Sequence, residues 1–215
     1  MHLKASIALI AYLVFAYVKA ETCPPESLTR PCECLPELDL TLECRNITDA
    51  SVLDGISRRT GDITFEKLRM FNSRIESIPP NTLTKKQLKA IEIYDSKLNS
   101  LFDGIDESNS VRALDLFRVE FGQTFPWSQL KPLKNLRTFV AARSFIPELA
   151  DESKNNVNKE LIYLTLHETH TRWISDGIFS EYSDLREIVI GNCGLRSVKR
   201  NYFPRPAAKL FQIKL

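Results

Sequence analysis

Beyond residue 20 this chain has no apolar run long enough to cross a bilayer, no long run of basic residues, and a single cysteine after Cys44. The first absence excludes a membrane span in that part of the chain. The second removes the electrostatic footprint of a nucleic-acid binder. Catalytic templates are missing as well. There is no G-x-S-x-G, no glycine-rich phosphate cradle and no H-E-x-x-H, so the common hydrolase, nucleotide and zinc-protease chemistries have no footing here. His167 and His170 are three residues apart rather than four, and no third ligand has suitable spacing. They read as surface histidines, not a metal site. No enzymatic activity, cofactor or metal is expected.

What is present begins with a leader. Residues 1–20, "MHLKASIALIAYLVFAYVKA", have a positive start at Lys4 and an apolar run from Ile7 to Val18, ending in "VKA". That is the pattern of a secretory signal peptide cut after Ala20, whereas a signal anchor would need a longer run. The leader holds Lys4 and Lys19 and no acid. Without it, the chain's 29 basic and 27 acidic residues become 27 of each, and the basic excess belongs to targeting alone. Cys23, Cys32, Cys34 and Cys44 fall within 22 residues. In an exported chain they imply two disulfides with three open pairings, and zinc is disfavoured by the lack of Cys-x-x-Cys and of a nearby histidine.

The rest of the chain repeats itself. Copies start at residues 65, 88, 111, 136, 161 and 185, a period of 23 to 25, and a seventh begins at Leu210. The fourth and sixth positions of each copy are apolar: Leu68 and Met70, Ile91 and Ile93, Leu114 and Leu116, Phe139 and Ala141, Leu164 and Leu166, Ile188 and Ile190. One intervening residue is the period of a short strand. A single copy cannot bury its apolar face, so neighbours must stack into a continuous core with one parallel sheet. The linking halves, such as "IPPNTL", "LFDGIDES" and "NYFPRPAAK", suit turns or short helical turns on the outer side. The polar stretch 148–160, "ELADESKNNVNKE", reads as a mobile loop.

This pattern resembles extracellular leucine-rich repeat proteins, whose unit reads L-x-x-L-x-L-x-x-N-x-L. "ISDGIF" and "VKRNYF" resemble the second half of that unit, and "CPPESLTRPCECLPELDLTLEC" its cysteine-rich amino-terminal cap. The resemblance implies an α/β solenoid with one curved parallel sheet, a disulfide-bonded cap over 21–62, and repeats over 63–215. Among secreted members the texture is similar to arthropod proteins related to the non-catalytic leucine-rich subunit of decapod luciferase.

In the family the ninth position is a polar side chain that points into the turn and bonds adjacent coils. Here the column reads Ser73, Ser96, Val119, Ser144, Thr169 and Cys193, with no asparagine. Cys193 is therefore expected as a small buried scaffold residue rather than a nucleophile. Positions three, five, seven and eight should face outward by strand alternation. Phe71, Tyr94 and Phe117 would then form a stripe on strands about 5 Å apart. Glu92, Asp95, Arg118, Arg143 and, further along, His167 complete the candidate binding face, which could equally be cross-strand stiffening or a recognition hot spot. Asn46-Ile47-Thr48 is the one acceptable glycosylation sequon, expected to shield the first edge of the solenoid. The carboxyl end shows no second cysteine cluster and stops within a repeat, at Leu210, Ile213 and Leu215. A longer parent protein is expected; alternatively, a hetero-complex or self-association covers that edge. The expected function is secreted, non-enzymatic recognition of an extracellular protein or glycan, with a non-catalytic complex subunit or a receptor or adhesion ectodomain as alternatives.

Overall fold

A coil that presents apolar residues at its fourth and sixth positions must lay them against the same positions of the next coil, and the backbone does so by parallel pairing in a fixed register. The structure is a computed structural model that describes residues 22–104 and 108–215. The expected signal peptide lies outside the described residues. A one-turn helix α1 (Glu26–Thr29) leads into β1 (Glu33–Leu35), which pairs antiparallel with β2 (Thr41–Arg45). Cys23 is bonded to Cys34 and Cys32 to Cys44, which selects one of the three pairings. Helix α2 (Ser51–Arg59) then turns Leu53 and Ile56 into the core.

The repeats follow as β3 (Lys67–Phe71), β4 (Arg74–Ile75), α3 (Pro80–Thr84), β5 (Ala90–Leu98), β6 (Ala113–Phe121) and β7 (Thr138–Ala142). After these come β8 (Glu148–Leu149), α4 (Asp151–Asn156), β9 (Tyr163–His167), β10 (Trp173–Ile174), β11 (Glu187–Gly191) and β12 (Gln212–Lys214). The main sheet runs β1-β2-β3-β5-β6-β7-β9-β11-β12, all parallel after the first pair. Register is kept throughout: Leu68 faces Ile91, Ile91 faces Leu114, and Leu114 faces Phe139. These residues are fully buried, and the apolar column from Leu42 to Ile188 forms one continuous core. The fold is a leucine-rich repeat solenoid.

Two features depart from expectation. First, β2 lies in the repeat register, with Leu42 against Leu68 and Cys44 against Met70. The cysteine-rich segment thus contributes a full coil to the sheet as well as closing its end. Second, the stretch 148–160 is structured. Its β8 pairs in parallel with β10, α4 follows directly, and Leu149, Ser153 and Val157 are buried. The apolar minority in that polar sequence was enough to dock it.

The outer side is made of short turns and helical turns. Lys86, although a lysine, is buried there and donates to the carbonyls of Gly61 (2.5 Å) and Ile63 (3.1 Å), tying the turn after α2 to the next coil. Burial holds its ammonium below the usual lysine value. At the other end β12 is the outermost strand, and Phe211, Ile213 and Leu215 are exposed. Among the described residues, no helix is long and apolar enough to cross a membrane.

Candidate functional site

The open face of the sheet is built column by column. In row seven the alternation of the strands turns Phe71, Tyr94 and Phe117 outward, at matched register positions of β3, β5 and β6. Phe71 and Tyr94 stack with ring centroids 4.8 Å apart and planes 13° apart; Tyr94 and Phe117 are 6.2 Å apart and tilted by 49°. The rings are half-buried rather than freely exposed. Guanidinium groups close both ends of the stripe. Arg45 lies 4.4 Å over the Phe71 ring, Arg118 lies 4.3 Å over Phe117, and Arg143 lies 5.7 Å from that same ring. Such cation–aromatic contacts contribute about 0.5–1 kcal/mol each at exposed sites.

Row eight cannot also face outward by alternation, because successive strand residues point to opposite sides. The chain solves this with a left-handed residue in every coil. Asn46, Asn72, Asp95, Arg118, Arg143, Glu168 and Asn192 all have φ between 48 and 55°. The kink swings their side chains to the rim, where the charged ones pair between coils. Arg118 donates to Asp95 (2.8 Å from Nη2 to Oδ2) and Arg143 to Glu168 (2.8 Å). Each arginine holds its carboxylate below the usual range. Asn46, Asn72, Asp95 and Arg118 line an open groove of about 530 Å³ along this rim.

Row five carries the buried charge. Glu92, expected at the surface, is only 8% exposed. It accepts from Lys67 Nζ and Arg69 Nε, both at 2.7 Å, and from the Tyr94 hydroxyl at 3.3 Å. Burial pushes its carboxyl up, but these two cations outweigh that and hold it below the usual value. The Tyr94 hydroxyl is pushed up by burial and by Glu92. Glu43, two coils earlier, pairs with Arg45 (2.7 Å) and reaches Arg69 (3.7 Å). Asp115, next in the row and opposite Glu92, has no such partner, and its Oδ1 is buried without a hydrogen bond. Burial and then Glu92 push its carboxyl up to about 6, partly offset by Lys67.

The structure therefore brings Phe71, Tyr94, Phe117, Arg118, Arg143, Glu92 and Asp95 into one surface. His167 reaches it less directly, through Glu168, which also holds Arg143. Ala142 separates it from Phe117 in row seven, and its ring instead sits beside Glu168 (3.4 Å) and against Gly191. A Cβ at Gly191 would lie 3.0 Å from the imidazole, so glycine makes the room. Arg45, Glu43 and Asp115 belong to the surface and were not singled out from sequence. Laying the repeat template over "LDLTLECRNI" would have found the first two, since Leu42, Cys44 and Ile47 fit positions four, six and nine.

Beneath the face, the ninth-position column works as a hydroxyl ladder. Ser73 accepts from the Ile47 amide (3.1 Å), Ser96 from that of Ser73 (3.0 Å), and Ser144 from that of Val119 (3.0 Å). Val119 has no hydroxyl to offer, and there β5 and β6 run to nine residues and pair by backbone through Leu98 and Phe121. Cys193 is buried, 3.2 Å from Thr169 Oγ1 and donating to the Gly191 carbonyl at 3.2 Å. No group of three or more metal-ligating side chains that could hold an ion occurs among the described residues.

No protein-family model matches the sequence, and no curated protein matches it. Among solved structures, the leucine-rich repeat domain of the type III effector XopL is similar over 88% of this chain and 78% of that domain. Its TM-score is 0.51 and its sequence identity 14%. That likeness concerns the fold. The narrower resemblance to a luciferase subunit has no counterpart among these matches.

Proposed function

We propose that this chain is a secreted, non-enzymatic recognition protein that binds another extracellular protein through the open face of its sheet. The observation that carries the reading is the aromatic stripe Phe71–Tyr94–Phe117 with Arg45 at one end and Arg118 and Arg143 at the other. Rigid aromatic area beside arginines is the composition of interface hot spots. The two amino-terminal disulfides support an oxidising destination, as does the leader at residues 1–20. The exposed Asn46 side chain lies on the rim groove, so a glycan attached there would border the face rather than a remote edge.

The test has two steps. Native mass spectrometry of the secreted protein identifies what it holds; a stoichiometric catalytic chain would specify the non-catalytic-subunit form of this reading. Titration calorimetry with that partner then compares wild type with Phe71→Ala/Phe117→Ala. Loss of binding, about 100-fold or more, with an unchanged far-ultraviolet spectrum is expected. Unchanged affinity in a folded double variant removes the stripe from the interface.

A further inference from the structure

Resting on that reading, we propose that Asp115 is the receptor for a basic side chain, lysine or arginine, presented by the polypeptide that docks on the open face. The tilted rings of Tyr94 and Phe117 flank the incoming cation.

The first ground is the unequal pairing within row five and its rim. Glu43 holds Arg45 and reaches Arg69; Glu92 holds Lys67 and Arg69; Asp95 holds Arg118; Glu168 holds Arg143. Asp115 has no ion pair to match, and its buried Oδ1 accepts no hydrogen bond, although it lies in register beside Glu92. Lys67 offsets its charge only in part. On β3, Lys67 and Arg69 are committed to Glu92. On β5 the facing groups are Glu92 and the Tyr94 hydroxyl, neither of which is a cation. On β7 the residues in register are Thr138 and Val140, and on β6 itself Ala113 and Phe117. A half-buried carboxylate with no ion pair of its own costs folding free energy, which a bound cation would recover.

Shape gives the second ground. Around Asp115 the outward positions are small: Ala90 and Ala113 in row three, Ala142 beside Phe117 in row seven. Phe71 and Tyr94 lie nearly flush, whereas the Tyr94 and Phe117 planes diverge one pleat beyond Asp115. An ammonium or guanidinium there meets a carboxylate and two π-faces together, the pairing that stabilises buried cations at interfaces. A divalent metal ion is a poorer occupant. It would want six or more oxygens, and both oxygens of the neighbouring Glu92 are already taken by ion pairs. The raised proton affinity of Asp115 follows from the same isolation, and a docking cation would reverse it.

The test uses the full chain with carbon-13-labelled aspartate, hexalysine as probe and hexaglutamate as its counterpart. Hexalysine is expected to lower the titration midpoint of the Asp115 carboxyl by about one pH unit, equivalent to about tenfold tighter binding to the ionised form. Hexaglutamate leaves it in place. Asp115→Asn binds hexalysine about tenfold more weakly at pH 7.5 and like wild type at pH 4.5, where Asp115 is protonated. No hexalysine binding, or binding with an unmoved midpoint and an unaffected Asp115→Asn, overturns the proposal. Phe71→Ala/Phe117→Ala separates the two readings. With the natural partner, loss of binding in that variant but not in Asp115→Asn leaves the face standing and removes the cation site. Loss in Asp115→Asn alone keeps the cation site and removes the stripe.

Discussion

A single carboxylate shows how an unpaired charge writes itself into stability. The folded Asp115 carboxyl binds its proton more tightly than the unfolded chain does, about 6 against 3.8. Its contribution is therefore fully present below about pH 4 and is lost as pH rises through about 6. Glu92 works in the opposite sense: its carboxyl is held down, so its contribution is present above about pH 4.5 and disappears in acid. Comparing Asp115→Asn with wild type isolates the first effect. Urea unfolding should find the variant more stable at pH 7.5 by on the order of 1 kcal/mol, and equal at pH 4. A variant destabilised at both values would show that the carboxylate has a bonding role in the fold. Cys193 illustrates the contrary case, a reactive residue type whose bonds are all to its own scaffold.

At the scale of elements, the left-handed residue at the eighth position of each coil is the constraint to test. A non-glycine residue in that region costs roughly 1–2 kcal/mol, and asparagine tolerates it best. Asn72→Val should therefore lower stability by about that amount, while Asn72→Gly stays within about 0.5 kcal/mol of wild type. Equal midpoints for both variants in urea would mean the kink is not imposed by the repeat. The strands themselves were legible in the sequence, because burial forces apolar residues to the fourth and sixth positions whatever else varies. The outward columns were legible as a list of residues but not as a set of bonds. Nothing in "AIEIYD" says that Glu92 is buried between two cations, since that depends on Lys67 and Arg69 arriving from the coil before. The first coil was hidden for a different reason. Cys44 fills an apolar position while also serving a disulfide, and the cysteine spacing drew the eye from the register. In 148–160 the many charges outvoted Leu149 and Val157, which decide its docking.

The whole molecule is a line of coils, each resting on its neighbours, so stability is set by nearest-neighbour stacking rather than by one shared centre. The disulfides act at one end of that line. Each closes a loop of 11 or 12 residues, and a loop of that size stabilises by about 3 kcal/mol in the chain-entropy account. Reduction should therefore loosen the molecule unevenly. Amide hydrogen exchange is expected to quicken in β2 and β3 while β9 and β11 keep their protection; a uniform increase would mean the coils unfold as one unit.

The same stacking makes the chain a tape when it is pulled. Held by its two ends, it has no central knot to burst. Among the described coils, the amino-terminal one is stitched by two covalent clamps. Under a steady force the coils should open one at a time, with the clamped coil last. Each releases 23 to 25 residues and so lengthens the tether by roughly 80 Å. Optical tweezers would record a staircase rather than a single rip, and the last step should wait for a reducing agent.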